Sequence, residues 1–296
     1  MTGLVPFTLE LSIVIVAHNS REFLEACLNS VRREAAGMDH EIILIDNASR
    51  DGTGDYAGAA FPEVQLIRNR DNVGFARAVN QGLRQSQGRF ICLLNPDTEL
   101  QPGALTTLVA EMQRLPGTGA LGGRLLNSDR TLQESFGSDI GVWSEIWRKG
   151  FLNLWGRYRF APAGWILKWT HSQKREVGWV AGTCMMLCRQ AVLDAGMMDE
   201  HFFLYLEDAD LSLRIRQLGW RVRYTPEAEV IHHGGISVAS NSAQSTLEFR
   251  HSQLHYFKKH RGPRWLKIFK TYLLLKLAKD RPVDFETAEN AGGNVQ

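Results

Sequence analysis

Two kinds of apolar segment alternate along the first 125 residues, and this alternation constrains the fold more than any other feature. Short continuous apolar runs have the length and composition of buried strands, and the segments between them carry apolar residues at helical spacing. The predicted strands are 11–17, 41–46, 64–67 and 90–94, and the predicted helices are 22–33, 75–85 and 102–115. Strands that alternate with helices predict an α/β fold with a mostly parallel central sheet flanked by helices.

The rest of the chain predicts a continuation of this domain and an appendage. Further strands are predicted at 176–187, 221–224 and 228–231, and further helices at 207–217, 245–260 and 263–279. We expect one large domain over 1–240, which contains a tryptophan-rich basic insertion at 140–175 with the composition of a membrane interface. Basic amphipathic helices at 241–282 follow as a C-terminal helical extension, and a disordered tail is predicted at 283–296.

Composition narrows the class of protein. Apolar residues make up 44% of the chain and charged residues 22%, which is typical of a folded soluble protein. The net charge is only +2, yet residues 250–281 hold ten basic side chains and one acid, Asp280, so the positive charge is concentrated there. The four cysteines form no CxxC pair and are interpreted as reduced thiols of a cytoplasmic protein. We expect no nucleic-acid partner; a homodimer stays open.

Acidic residues stand at the ends of predicted strands and at the start of a helix. Asp46 ends the second strand, Asp97 follows the fourth, and Glu207 and Asp208 open the helix at 207–217. Ligands of open α/β sheets bind beyond the carboxyl ends of the strands, so Asp97 is placed for ligand chemistry, although Asn-Pro-Asp is also ordinary turn chemistry. Glu207 and Asp208 are suited either to helix capping or to proton abstraction from a hydroxyl.

His232 and His233 follow the last predicted strand and precede two glycines. Either imidazole could reach a metal ion at the same edge of the sheet, and either could be purely structural.

A dinucleotide-binding fingerprint is also present in outline. Gly52-Thr-Gly54-Asp-Tyr-Ala57 satisfies the GxGxxA pattern. In that fingerprint the first glycine follows its strand directly, whereas here residues 47–51 intervene. The nicotinamide interpretation is therefore disfavoured.

A series of segments occurs in the order of a known family: SIVIVAHNS, IDNASRDGT, NVGFARAVNQG, NPDTEL, VAGTCMMLCRQAV, FLYLEDADLSLR and IHHGGIS. Together they resemble the inverting glycosyltransferases of family 2, which have the GT-A nucleotide-diphosphosugar fold, and in particular their rhamnosyltransferase-like branch. The chain departs from the family pattern at two positions. His18 stands where the family often has tyrosine, and Asn95 replaces the first aspartate of the DxD element.

The resemblance implies roles for individual residues. Asp208 would be the general base, with Glu207 beside it in the Glu-Asp motif. Asp97 and His232 would hold Mg²⁺ or Mn²⁺, with His233 in reserve, and Asp46 would accept a hydrogen bond from a pyrimidine imide. The acceptor side would be lined by Gly182 and Thr183. The implied donor-binding residues are Ala17, Asn19, Asp46, Asn47, Ser49, Asn72, Gly74, Arg77, Asn80, Asn95 and Asp97.

The resemblance also implies an activity: metal-dependent, inverting transfer of a sugar from a nucleotide diphosphate donor to a saccharide hydroxyl. The branch favours L-rhamnose from dTDP-rhamnose, with UDP-sugars next, and an acceptor linked to polyprenyl diphosphate in cell-wall or O-antigen polysaccharide assembly. By the resemblance, 1–240 would be the GT-A catalytic domain, and its insertion at 140–175 would face the acceptor or a membrane. The basic C-terminal helices and this insertion suit an anionic membrane surface on the cytoplasmic side. A core-packing helix with a solvated basic face explains the same pattern.

Two other functions stay open. A nucleotidyltransferase shares such a sheet and an acidic metal site, but VAHNSREF lacks the glycine-rich phosphate loop that this class usually needs. A catalytically silent sugar-nucleotide-binding protein would not need Asp97, Asp208 and His232 together.

Overall fold

The computed structural model describes residues 9–141, 169–234 and 242–279. Its strands are β1 (Leu9–Ala17), β2 (His40–Asp46), β3 (Val64–Arg68), β4 (Gly88–Leu94), β5 (Thr98–Leu100), β6 (Thr118–Leu126), β7 (Phe136–Gly137), β8 (Arg175–Glu176), β9 (Trp179–Val180), β10 (Cys184–Cys188) and β11 (Arg221–His232). Its helices are α1 (Arg21–Glu34), α2 (Thr53–Ala60), α3 (Phe75–Gln85), α4 (Ala104–Arg114), α5 (Arg189–Asp194), α6 (Glu207–Gln217), α7 (Ser242–His260) and α8 (Gly262–Lys279).

Nine strands form one mixed sheet in the order β3-β2-β1-β4-β10-β6-β11-β5, with β8 also paired to β11. The strands β1, β2, β3, β4, β6 and β11 run in one direction, and β5, β8 and β10 run in the other. The predicted mostly parallel sheet with flanking helices is confirmed. The antiparallel β10 lies between β4 and β6, so residues just before β10 meet residues just after β4.

Helices cover the sheet on both faces. Leu11, Ile13 and Ile15 of β1 are buried in a core that also contains one face of α1 and α4. Val14, which points the other way, lies against α3 at Gly82. Alternate residues of β1 thus serve opposite faces, which explains why the strand is apolar throughout.

Several predicted boundaries were wrong. The helix predicted at 102–115 begins at Ala104, and Pro102 lies in the turn before it. The strand predicted at 176–187 is three short strands, and the two strands at 221–231 are one strand with an irregular register after Tyr224.

Strand β6 was not predicted, because its sequence TGALGGRLL is rich in glycine. In the fold, a Cβ added at Gly122 would lie 2.8 Å from Val180, so this glycine permits close packing.

The chain divides into two compact units, Met1–Gln253 and Leu254–Gln296. In the second unit the rings of Phe257 and Phe269 stack at 4.2 Å between centroids, which joins the end of α7 to α8. The predicted C-terminal helical extension is therefore present. No helix among the described residues is long and apolar enough to cross a bilayer. Most of the predicted insertion, with Trp143, Trp147, Trp155 and Trp165, and the predicted tail at 283–296 lie outside the described residues.

The packing of α3 on the sheet predicts an unusual response to a Gly→Ala substitution. A Cβ at Gly82 would lie 2.4 Å from Cγ1 of Val14, whereas a Cβ at Gly58 in α2 meets only ordinary contacts beyond 3.5 Å. We expect Gly82→Ala to destabilise the fold by about 1 kcal/mol or more, because overpacking costs about 1–3 kcal/mol and exceeds the helix-propensity gain. Gly58→Ala should be neutral or stabilising. Urea unfolding of both variants checks this, and equal stability of the two would contradict the packing argument.

Candidate active site

Strands β1, β2 and β4 end side by side, and the predicted donor-site residues follow these ends. Ala17 is paired with Asp46 across β1 and β2, and the backbone amide of Asn47 donates to the carbonyl oxygen of Ala17 at 2.8 Å. Asn95 follows Leu94, the last residue of β4. These residues therefore share the edge where parallel α/β sheets bind ligands.

Asp46 is held inside the loop that follows β2. Its side chain is buried, and Oδ1 accepts a hydrogen bond from the amide of Ser49 at 2.9 Å. A Cβ at Gly54 would lie 2.1 Å from Oδ2, so only glycine fits there. The glycine of the apparent dinucleotide fingerprint thus makes room for the Asp46 carboxylate, a role that needs no nicotinamide cofactor.

Asn19 fixes the other side of the same loop. It has a left-handed backbone, with φ of +52°. Its amide donates to Oγ of Ser49 at 3.0 Å, and its side-chain oxygen accepts from the amide of Arg50 at 2.8 Å. Nδ1 of His18 contacts the carbonyl oxygen of Asn47 at 2.8 Å. The loop over 46–50 is therefore tied to the end of β1 at several points.

Asn47 links this loop to the segment before α3. Its Oδ1 accepts from Nδ2 of Asn69 at 3.0 Å and from the amide of Val73 at 3.1 Å, and its Nδ2 donates to Oδ1 of Asn72 at 2.8 Å. Oδ1 of Asn72 also accepts from the amide of Gly74 at 3.0 Å. The predicted donor-site residues Asn47 and Asn72 thus belong to one hydrogen-bonded network.

Gly74 has no space for a side chain. Its φ is +85°, and a Cβ there would lie 2.8 Å from the ring of Phe203. The next amide, that of Phe75, donates to the carbonyl oxygen of Phe203 at 2.7 Å. The start of α3 is therefore docked against the segment that leads into α6.

Arg77 and Asn80 face a different partner. Nε of Arg77 donates to Glu200 at 3.1 Å, and Nδ2 of Asn80 donates to Glu200 at 3.0 Å and to the carbonyl oxygen of Met198 at 2.9 Å. Oδ1 of Asn80 accepts from the amide of Met198 at 3.0 Å. The amide of Asn80 is thus fully used in holding the 198–200 segment, while the guanidinium of Arg77 stays half exposed.

Asp97 and His232 lie side by side. Nε2 of His232 is 3.3 Å from Oδ1 of Asp97, and both side chains are largely buried. Their elements pair directly, since His232 of β11 is opposite Thr98 of β5. The other imidazole, His233, is engaged elsewhere: it contacts Glu99 at 2.7 Å through Nε2 and Oγ of Ser128 at 2.9 Å through Nδ1. His232 is therefore the histidine whose ring faces Asp97.

The predicted acceptor-side residues, Gly182 and Thr183, connect the segment of Asp97 to Asp208. The amide of Asn95 donates to the carbonyl oxygen of Thr183 at 2.9 Å. The amide of the preceding residue, Gly182, donates to Oδ2 of Asp208 at 2.9 Å. Two hydrogen bonds and a few residues of backbone thus join the end of β4 to the start of α6.

The carboxylate of Asp208 is held by the backbone. Besides Gly182, the amide of Ala209 donates to its Oδ1 at 2.7 Å. Burial nevertheless raises the pKa of Asp208, and these hydrogen bonds offset the effect in part. Tyr205 and Leu206, just before α6, both have positive φ, which is uncommon for side chains of this size and is found at functional sites.

Glu207 is more deeply buried than Asp208. Among the described residues, Oε2 of Glu207 has no hydrogen-bond partner. Burial, followed by the nearby Asp208 and Asp210, raises the pKa of Glu207 well above the ordinary value. Asp210 is paired with Arg214 at 2.7 Å inside the protein. The first turn of α6 therefore contains three carboxyl groups in three different environments.

Some residues at this edge were missed by the sequence analysis. Gln133 contacts His232, and Glu200 contacts Arg77 and Asn80, but neither belongs to a motif or follows a strand end. Each contacts a residue more than 95 positions away in the sequence, and no local sequence pattern predicts such a contact.

Comparison with known proteins identifies the family. The family model described as glycosyl transferase family 2 matches residues 12–193, which is more than half of the chain. The chain belongs to glycosyl transferase family 2. This glycosyltransferase is 30% identical over 275 residues, or 86% of each chain, to N-acetylglucosaminyl-diphospho-decaprenol L-rhamnosyltransferase of Mycobacterium tuberculosis. It is also 26% identical to the O-antigen biosynthesis protein RfbC of Myxococcus xanthus, over 78% of this chain and 18% of RfbC.

Solved structures confirm the fold. The mannosyltransferase PcManGT of Pyrobaculum calidifontis, in complex with GDP-Man and Mn²⁺, matches 91% of this glycosyltransferase and 81% of its own chain with a TM-score of 0.54 at 14% identity. GalNAc-T7 with UDP, GalNAc and Mn²⁺ matches 76% of the chain and 44% of its own at a TM-score of 0.54 and 19% identity. The GT-A fold expected from the motifs is therefore confirmed.

The burial of Glu207 predicts a pH dependence of stability. A carboxyl group whose pKa is raised on folding holds a proton that the unfolded chain releases, so stability falls as pH rises from the ordinary value of 4.5 toward the raised pKa. We expect Glu207→Gln to lessen this fall. Urea unfolding at a series of pH values above 4.5 measures the slope. The exposed Glu22 on α1 provides the control variant Glu22→Gln, which should keep the wild-type slope; a Glu207→Gln slope equal to that of wild type would contradict the prediction.

Proposed function

We propose that this family 2 glycosyltransferase transfers L-rhamnose from dTDP-rhamnose, with inversion, to a saccharide hydroxyl on a polyprenyl-diphosphate-linked acceptor in cell-surface polysaccharide assembly. The observation that carries the proposal is the hydrogen-bonded path from the segment that holds Asp97 to the carboxylate of Asp208, which runs through Asn95, Thr183 and Gly182. The choice of sugar and acceptor is supported by the mycobacterial relative, whose name gives L-rhamnosyl transfer and an N-acetylglucosaminyl-diphospho-decaprenol acceptor. The pyrimidine nucleotide is supported by the buried Asp46 in its loop.

Asp208 is proposed as the general base. It takes the proton from the acceptor hydroxyl, which attacks the anomeric carbon from the face opposite the nucleotide diphosphate. The amides of Gly182 and Ala209 hold the carboxylate in place. A raised pKa makes the carboxylate a stronger base than an exposed aspartate.

Glu207 contributes by staying neutral. Burial raises the pKa of both groups, but two backbone amides donate to the Asp208 carboxylate, whereas Oε2 of Glu207 has no hydrogen-bond partner among the described residues; the proton of the pair is therefore assigned to Glu207 and the negative charge to Asp208. A second charge beside the base would oppose its ionisation.

Asp97 and His232 are proposed as the metal-binding side chains. The carboxylate oxygen of Asp97 is the type of ligand that Mn²⁺ and Mg²⁺ prefer, and the imidazole nitrogen of His232 lies 3.3 Å from it, close enough for both atoms to reach one cation. When bound, such a cation would neutralise charge on the departing diphosphate. Asn95, Asn72 and Arg77 are proposed to contact the donor.

The exposed side chains of α8 are proposed to rest on an anionic membrane surface at the cytoplasmic leaflet. Trp265, Ile268 and Leu274 are 41–67% exposed on this helix. Lys267 and Lys270 lie exposed among them. Exposed apolar side chains with interleaved lysines are typical of helices that lie in the membrane interface. Such a position suits an enzyme whose acceptor carries a lipid.

Asp208→Asn tests the proposed activity. We expect transfer from dTDP-rhamnose to a lipid-linked N-acetylglucosamine acceptor to fall by about 10²–10⁴-fold, because a general base contributes on that order, while donor binding is retained. Turnover with and without added Mn²⁺, and donor binding by thermal shift, give the two readouts. Asp39→Asn is the control and should be fully active, because Asp39 is exposed and directly precedes β2, at the end of the strand that lies away from Asp46. Near-normal turnover by Asp208→Asn removes the residue from the mechanism. If the wild-type protein binds dTDP-rhamnose but transfers no sugar, the proposed activity is wrong and the protein is a sugar-nucleotide-binding protein.

A charge-reversal pair tests the membrane surface. We expect Lys267→Glu/Lys270→Glu to weaken flotation with phosphatidylserine-containing liposomes at low salt by tenfold or more, because each lysine near an anionic surface contributes about 1 kcal/mol. Arg70→Glu/Arg89→Glu makes the same change in net charge at exposed positions outside α8 and should bind like wild type. Equal flotation of the two double variants would argue against α8 as the contact.

A further inference from the structure

A network of hydrogen-bonded polar side chains extends from the surface hairpin after β6 to the His232 ring. Gln133, which no motif includes, makes the last contact of this network: its Oε1 is 2.7 Å from Nδ1 of His232. The hairpin itself is well defined, since the amide of Asn127 donates to the carbonyl oxygen of Thr131 at 2.8 Å and the amide of Gln133 to that of Leu125 at 3.0 Å. The group at the surface end of the network determines the direction of each hydrogen bond in it.

The outer end is Asp129, whose ionised carboxylate can only accept hydrogen bonds. Its Oδ1 accepts from the amide of Thr131 at 3.0 Å and from the hydroxyl of Thr131 at 2.5 Å. The contacts with Thr131 lower the pKa of Asp129, which keeps it ionised. Since the hydroxyl proton of Thr131 is used there, Oγ1 of Thr131 must accept from Nδ2 of Asn127, at 2.9 Å.

This contact orients both amide side chains. With Nδ2 of Asn127 directed at Thr131, Oδ1 of Asn127 faces Gln133 and accepts from its Nε2 at 3.2 Å. Oε1 of Gln133 therefore faces His232. A carbonyl oxygen cannot donate, so Nδ1 of His232 carries the hydrogen.

The position of that hydrogen decides what the other ring nitrogen can do. In a neutral imidazole with Nδ1–H, Nε2 carries a lone pair, and here Nε2 is directed at the Asp97 carboxylate at 3.3 Å. Two acceptors that face each other at this distance repel unless a cation lies between or beside them. Residues that bond the second nitrogen of a metal-binding histidine commonly set its tautomer in this way.

We propose that Gln133 is a positioning residue, which holds His232 as the Nδ1–H tautomer and so presents Nε2 beside Asp97 to a divalent cation. The proposal rests on the metal site proposed above for Asp97 and His232, but the tautomer itself does not depend on any metal. In this proposal the hairpin over 127–133 orients the His232 ring by contacting Nδ1, the ring nitrogen that does not face Asp97.

The tautomer can be read directly by nitrogen-15 NMR of the metal-free full chain with labelled histidine, at an alkaline pH where imidazoles are neutral. His232→Gln identifies the His232 signals by their loss. We expect the Nδ1–H form in the wild type. Gln133→Met removes the acceptor at similar side-chain length, so the ring should change to the Nε2–H form, which can donate to Asp97. Gln133→Glu keeps an acceptor and should keep the wild-type form. An Nε2–H form in the wild type, or an unchanged form in Gln133→Met, overturns the proposal.

A second measurement tests the consequence for the metal. We expect titration with Mn²⁺, followed by electron paramagnetic resonance, to show about 10–100-fold weaker binding by Gln133→Met and near wild-type binding by Gln133→Glu. Gln133→Ala serves as the second acceptor-free variant, and urea unfolding confirms that each variant is folded. Asp97→Ala separates the two proposals. If Asp97→Ala loses Mn²⁺ binding and Gln133→Met does not, the role of Gln133 is overturned and the metal site stands. If Asp97→Ala binds Mn²⁺ like wild type, the metal site fails, and with it the proposed role of Gln133 toward a cation.

Discussion

The hydrogen bond from the amide of Asn95 to the carbonyl oxygen of Thr183 is the contact on which the site depends. It continues the antiparallel pairing of β4 and β10 by one step beyond Leu94 and Cys184. Because the register of paired strands is fixed by many backbone bonds, the position of Gly182 next to Asp208 follows from it. A shift of β10 by one residue would move the carbonyl oxygen of Thr183 away and would separate Asp97 from Asp208.

The loops proposed to bind the nucleotide depend on close packing and amide hydrogen bonds. Asn47 uses both ends of its side chain to connect 46–50 with 69–74, and Gly54 and Gly74 leave the space that Asp46 and Phe203 occupy. These contacts order the loops without a ligand, so donor binding costs less conformational entropy than it would with mobile loops.

Charge is arranged by environment at this edge. Asp97 lies against an imidazole, Asp208 is held by two backbone amides, and Glu207 is buried beside it with a raised pKa. Chemically similar carboxyl groups thereby lie in three different environments, and burial raises the pKa of two of them, Asp208 and Glu207. The hairpin over 127–133 extends this arrangement to the surface, because an ionised Asp129 fixes the direction of every hydrogen bond up to His232.

The sequence by itself determined the elements with strong local patterns and the family. Runs such as 90–94 and helical patterns such as 75–85 and 207–217 form as predicted, because their apolar periodicity matches the faces that they bury. Glycine-rich β6 was not predicted, and the three short strands within 175–188 were predicted as one strand. In both segments the apolar pattern is too weak to locate the ends of the strands. Only the tertiary structure decided that His232 rather than His233 faces Asp97, that Asn80 holds the 198–200 segment, and that Gln133 orients His232. These contacts join residues about 100 or more positions apart, and such pairings arise from the packing of distant segments in the folded chain rather than from any local pattern.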